Sequence, residues 1–156
     1  MAQKSFFRIL IEIAESMDGI NNTMFAGDFE ANLEADRIKE EHFPLCIINN
    51  SLDVENEEQP SGIVYRNIPF AVSFLALDDL DSTALQQQDI LDQMEVLCDT
   101  FINEIKKSGV IPPDQLSVFD SWTTNNQVKI YDATLTGMQL TGTVPYNTGI
   151  ALCSLS

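Results

Sequence analysis

The sequence predicts an α+β domain, a mainly antiparallel sheet of about four to five strands covered by two helices. Three observations lead there. Apolar residues recur at helical spacing in two separate stretches, 5–17 and 84–107. Residues 62–77 are dense in β-branched and aromatic side chains, the pattern of a strand. Residues 116–122 and 128–144 are β-rich again, with a polar tract between them. At 156 residues the chain fits a single domain spanning 1–156, a length at which roughly 70% of the unfolded surface is buried on folding.

The first helix is carried by Phe6, Leu10, Ile13, Ala14 and Met17, broadened by Phe7, Ile9 and Ile11. It is predicted to stop at Asp18-Gly19, because glycine takes the left-handed conformation that ends helices, and Asn21-Asn22-Thr23 reads as a turn. Residues 24–41 fit neither period: Phe25, Phe29, Leu33 and Ile38 suit a short strand or a short helix, and Gly27 and the acidic residues interrupt both. Residues 43–48 form a continuous apolar run with Pro44 near its start, hence a buried strand ending at Asn49-Asn50. Residues 51–61 are rich in Asp, Glu, Asn and Pro and read as an exposed, flexible loop.

Residues 62–77 then predict a long strand, with a break expected near Asn67-Ile68-Pro69. Phe70, Val72, Phe74 and Ala76 alternate with Ala71, Ser73, Leu75 and Leu77, so both faces are covered and the strand is central. Thr83 and Gln86 have the spacing of a capping box. The helix they open carries the stripe Leu91, Met94, Leu97, Cys98, Phe101 and Ile105, and runs to about Lys107 before Gly109. Beyond Pro112-Pro113, residues 116–122 and 128–144 predict an antiparallel pair joined by a turn at Thr123-Thr124-Asn125-Asn126. Residues 145–156 fit either a last short strand or an extended C-terminal arm.

Charge and composition narrow the function. With 24 acidic against 8 basic residues the formal net charge is -16, which opposes an unaided grip on nucleic acid, since that affinity rests on Lys and Arg neutralising phosphates. The same charge suits a wall along which DNA slides, or simple solubility. Cys46, Cys98 and Cys153 are scattered, odd in number and set among apolar neighbours, the pattern of buried small hydrophobes rather than a disulfide framework or a metal pair. Near the N-terminus Arg8, Glu12 and Glu15 interrupt the apolar run, so neither a signal peptide nor a membrane span is expected.

The residues offer little chemistry. His42 is the only histidine and has no catalytic partner nearby in sequence. Asp78, Asp79 and Asp81, or Glu55, Glu57 and Glu58, supply oxygen ligands for a hard cation but lack the calcium-loop spacing. No glycine-rich phosphate loop or nucleophile elbow is present. Trp122 with Phe119 and Tyr131 reads either as a stacking platform or as core. The expectation is therefore a non-enzymatic protein with no cofactor, no metal and no catalytic residues.

The order of elements resembles the tail-terminator and head–tail connector (neck ring) proteins of tailed bacteriophages. The run Phe43-Pro44-Leu45-Cys46-Ile47-Ile48 is similar to the first sheet strand of that family. Ile68-Pro69-Phe70-Ala71-Val72-Ser73-Phe74-Leu75 is similar to the long second strand, and the stretch from Asp132 to Thr141 to its closing strand. The resemblance covers roughly residues 5–144 and implies a tail-terminator-like fold in a homo-oligomeric ring, sixfold or twelvefold, within the virion. Such a ring, assembled in the host cytoplasm, contacts portal or connector proteins on one side and tail proteins on the other, while DNA passes through its lumen as a non-specific passenger. No membrane partner is implied.

Under that resemblance, two segments are the expected interface. One is the acidic stretch with Leu52, Asp53, Val54, Glu55, Glu57 and Glu58; the other is the apolar C-terminal stretch with Ile150, Leu152 and Leu155. An extended terminal segment can add main-chain hydrogen bonds to a neighbour's strand. The alternative from composition alone is a small acidic cytoplasmic adaptor, chaperone or inhibitor that binds a basic protein partner.

Overall fold

The computed structural model describes residues 5–34, 39–50, 55–58, 63–78, 81–111, 122–130 and 135–151. The fold class is α+β, as predicted. In chain order the elements are α1 (Phe6–Ser16), β1 (Asn22–Phe25), α2 (Ala26–Glu34), a 3-10 turn (Glu40–His42), β2 (Leu45–Asn49), β3 (Glu55–Glu58), β4 (Ile63–Leu77), α3 (Ala84–Lys107), β5 (Thr123–Ile130) and β6 (Leu135–Ala151). The six strands form one sheet with the path β1-β2-β4-β6-β5, and β3 pairs with β4 off that path. Every pairing is antiparallel except β1 with β2.

Helix ends follow local chemistry. Ser5 caps α1 by accepting the Arg8 amide at 3.3 Å, and Gly19 beyond its end has φ of +90°. At α3 the box is reciprocal: the Gln86 amide donates to Thr83 Oγ1 at 3.2 Å, and the Thr83 amide to Gln86 Oε1 at 2.8 Å. Lys106 and Lys107 occupy its last turn, and Gly109 follows with φ of +78°.

The pleat of the sheet sorts the core into two layers. Cys46 and Ile48 on β2, Ile68, Phe70, Val72 and Phe74 on β4, and Met138, Leu140 and Val144 on β6 share one face with the apolar stripes of α1 and α3. Ring pairs lock this layer edge-on: Phe74 with Phe101 at 5.6 Å between centroids, and Phe6 with Phe70 at 6.4 Å. On the other face a smaller cluster of Phe29, Phe43, Leu45, Ile47, Leu75 and Leu135 is capped by α2. The helix cover thus comes from three helices where two were expected, with α1 and α3 on one face and α2 on the other.

Several local expectations are corrected. Asn22 and Thr23, read as part of a turn, open the strand 22–25, because Asn22 to Phe25 align in register with Leu45 to Ile48 and the Asn21 amide donates to the Pro44 carbonyl at 2.8 Å. Of residues 24–41, 24–34 divide between β1 and α2, and 40–41 open the 3-10 turn. Residues 55–58, inside the expected loop, form β3, since β4 extends past β2 and offers them a ladder. β4 is unbroken at Pro69. On the side away from β6, the β3 ladder ends at Asn67 and the β2 ladder begins at Ala71. Pro69 falls in that gap, where a residue without an N–H is accommodated.

The expected turn at 123–126 is the first half of β5, in register with β6 from Thr123 opposite Thr141 to Gln127 opposite Gly137. Residues 145–151 continue β6 along β4, with Pro145 opposite Asn67 and Ala151 opposite Ile63. Residues 152–156 of the expected arm lie outside the described residues, as do 116–121 of the expected first hairpin strand. A Cβ built on Gly137 would stand 1.9 Å from the Phe74 carbonyl oxygen. Only glycine fits where β6 meets β4 there.

Candidate interaction surfaces

The sheet leaves three strands at its margins. β1 and β5 end the path, and β3 borders the first half of β4 on the side that β2 takes further along. Each margin has a different chemistry. β1 is in contact with both α1 and α2. β3 reads Glu55-Asn56-Glu57-Glu58, so three carboxylates sit within four residues. β5 carries Thr123, Thr124, Asn125, Asn126 and Gln127 before its first charged residue, Lys129, and the first four of these are exposed on both faces of the strand.

The interface residues expected from sequence are partly brought together. Glu55, Glu57 and Glu58 lie on β3, opposite Asn67, Tyr65 and Val64 of β4. Ile150 lies on β6, which borders the same stretch of β4 on its other side. The two segments therefore flank one short run of β4, residues 63–67, as the outer strands of a three-stranded ribbon. The β4–β6 register shifts between Ile63 and Tyr65, where four steps along β6 match two along β4. Leu52, Asp53, Val54, Leu152 and Leu155 lie outside the described residues.

A second surface is a cleft of about 610 Å³ beside the start of α3, lined by Glu40, Leu77, Asp78, Ser82, Gln86, Asp89 and Ile90. Asp78 follows β4 directly and is only 7% exposed. The fully buried Thr136 donates to its Oδ2 at 2.7 Å, which satisfies part of a carboxylate that would otherwise be costly to bury. Of the other aspartates considered as cation ligands, Asp81 is exposed and Asp79 lies outside the described residues. Among the described residues, no three side chains of metal-ligating type form a group that would hold an ion.

The remaining candidates have structural partners. His42 Nδ1 accepts the Lys39 amide at 2.8 Å and so closes the 3-10 turn. Cys46 and Cys98 are buried thiols. Burial first, and then the proximity of Cys98, pushes Cys46 far above the usual thiol range. Burial, then Asp99 and Glu95, pushes Cys98 up to about 12. Neither supplies a thiolate nucleophile at neutral pH. Trp122 is half-buried, and Lys106 Nζ lies 4.8 Å from its ring centre, a cation–π contact that covers the indole face. Phe119 and Tyr131 lie outside the described residues.

Sequence reasoning missed two of these features. The β5 margin was hidden because Thr-Thr-Asn-Asn has turn composition; the signal that separates strand from turn is its alignment with β6, a long-range property. The Thr136–Asp78 pair spans 58 residues and leaves no local mark. No family model matches the chain, and no curated protein matches it.

Proposed function

We propose that this chain is a structural subunit of a tailed-bacteriophage virion, forming a homo-oligomeric ring at the head–tail junction as a connector or tail terminator. The observation that carries the reading is the succession of elements: helix, buried strand, acidic segment, long central strand, long amphipathic helix, closing β-hairpin. The described elements keep that order, with β1 and α2 added between the first helix and the buried strand and the strand β3 inside the acidic segment. In this reading the ribbon of β3, the start of β4 and the end of β6 engages neighbouring subunits or the portal-side and tail proteins. The net charge of -16 keeps a lumen from holding passing DNA, because it supplies few cations to replace the counterions of phosphate. The chain works by assembly and needs no catalytic group.

The test is imaging. Negative-stain micrographs and light scattering of the purified chain, alone and mixed with portal-side or tail proteins of a tailed phage, are expected to show annular particles. A monomer under every partner condition would sink the reading. The cleft beside α3 favours a second reading, an acidic module that binds a basic protein, since Glu40, Asp78 and Asp89 line it and, among the described residues, no Lys or Arg does. Steep loss of binding to a basic partner with added salt, and no annular particles, would select that alternative.

A further inference from the structure

We infer that the outer face of α3 is a docking surface for a basic amphipathic helix of another protein. α3 carries two stripes, of which the first is the buried set that covers the sheet. On the opposite side Leu85, Asp89, Asp92, Val96, Asp99 and Asn103 recur at alternating steps of four and three residues, and all of them are exposed. Leu85 is 73% exposed and Val96 60%. They are separated by three helical turns, about 16 Å along the axis, and so project in the same direction. Among the described residues the other large apolar side chain that is exposed is Leu77, so the apolar exposure of the molecule is concentrated on this line.

The carboxylates define the partner's charge. Between Ala84 and Ile105 the helix has no Lys or Arg, so Asp89 with Asp92, Asp92 with Glu95 and Glu95 with Asp99 are like charges three or four residues apart, which repel along a helix surface. A partner rich in Lys and Arg relieves that repulsion, whereas the same face of a second copy adds to it. Leu85 and Val96 define the partner's form. Basic residues alone leave both in water, but a helix with apolar residues at the same three-and-four spacing covers them while its Lys and Arg reach Asp89, Asp92 and Asp99. From Leu85 to Asn103 the stripe is about 27 Å long, which matches a partner helix of about five turns. Such a partner is the basic protein of the acidic-module reading, on which the inference rests. Asp89 belongs to the stripe and also lines the cleft, so the two surfaces adjoin.

The probe is a labelled synthetic helix of Lys and Leu, about five turns long, with its Leu at steps of three and four; the control peptide has the same composition in an order that lacks this spacing. Binding to the full chain is read by fluorescence anisotropy at low and moderate salt. The wild type is expected to bind the ordered peptide roughly fivefold or more tighter than the control. Asp92→Asn with Asp99→Asn is expected to weaken it by roughly fivefold or more. Glu15→Gln with Glu30→Gln, which removes as much charge from exposed positions on α1 and α2, is expected to leave it within roughly twofold. Leu85→Ser with Val96→Ser, with the circular dichroism unchanged, is expected to abolish the preference for the ordered peptide. Equal affinity for the two peptides overturns the inference, as does equal weakening by the two carboxylate pairs or a preference that survives the serine pair. Weakening by Glu40→Gln, in the cleft but off α3, without weakening by Asp92→Asn and Asp99→Asn overturns it and leaves the acidic-module reading standing. Binding of neither peptide at any salt overturns both.

Discussion

The two sides of β6 place neighbouring strands in opposite circumstances. On one side lies β4, whose Phe70, Val72 and Phe74 are buried beneath α1 and α3. On the other lies β5, whose Thr123 to Asn126 are exposed on both faces. Both strands are held by main-chain ladders to β6, but the side chains of Thr123 to Asn126 add no burial to theirs. Burial of a large apolar side chain stabilises by about 1.5–3 kcal/mol, whereas an exposed polar strand residue contributes little beyond its ladder bonds. The fold is therefore anchored at β4 more firmly than at the first half of β5.

The largest effect should come from breaking the anchored side. Phe74 is fully buried and meets Phe101 edge-on, so Phe74→Ala is expected to cost about 3–5 kcal/mol, read from the midpoint of urea unfolding. Next is the contact between β4 and β6. Gly137→Val puts a branched side chain where the Phe74 carbonyl already stands and is expected to cost about 1–3 kcal/mol. A weakened β4–β6 ladder would also appear as faster amide exchange along β6. If Gly137→Val proves neutral, the close approach of those strands is not what holds β6 in place.

Thr136→Val removes a buried donor from Asp78 while keeping the side-chain shape, and should cost about 1–3 kcal/mol. The thiols test the same layer by chemistry. The folded state holds Cys98 up to about 12, against an ordinary value of 9.0, and Cys46 is shifted in the same direction. The unfolded chain thus loses these protons first as pH rises. The contribution of Cys98 to stability is fully present below pH 9.0 and is lost progressively between there and about 12, and that of Cys46 is lost in the same direction. Alkylation followed by peptide mass analysis should find both thiols unreactive at neutral pH until denaturant is added.

The same contrast explains what the sequence disclosed. The covered layer was legible because its rule is local and periodic: Leu91, Met94, Leu97, Cys98, Phe101 and Ile105 announce the buried face of α3, and Thr83 with Gln86 announces its start. The alternation along residues 70–77 likewise announced a central strand. The margins were not legible, since what makes Asn22 to Phe25 a strand is β2, and what makes Glu55 to Glu58 a strand is the overhang of β4. Glutamate and asparagine are poor strand formers, and tertiary pairing overrode that preference in β3 and β5. Of the expected interface, Glu55, Glu57, Glu58 and Ile150 proved neighbours of one run of β4, a proximity that no local pattern encodes.

The smallest expected effect is at β5 itself, where it sharpens the comparison most. Asn126 is exposed on an edge strand, and Asn126→Asp changes its charge with almost no change in shape. The stability of the protein should move by no more than about 0.5 kcal/mol, read from the midpoint of urea unfolding. The same single-site change that is tolerated at this strand has no counterpart at Phe74, which is fully buried against Phe101. If Asn126→Asp instead destabilises the protein as much as Thr136→Val does, then the first half of β5 is as integral to the fold as the buried side of β6.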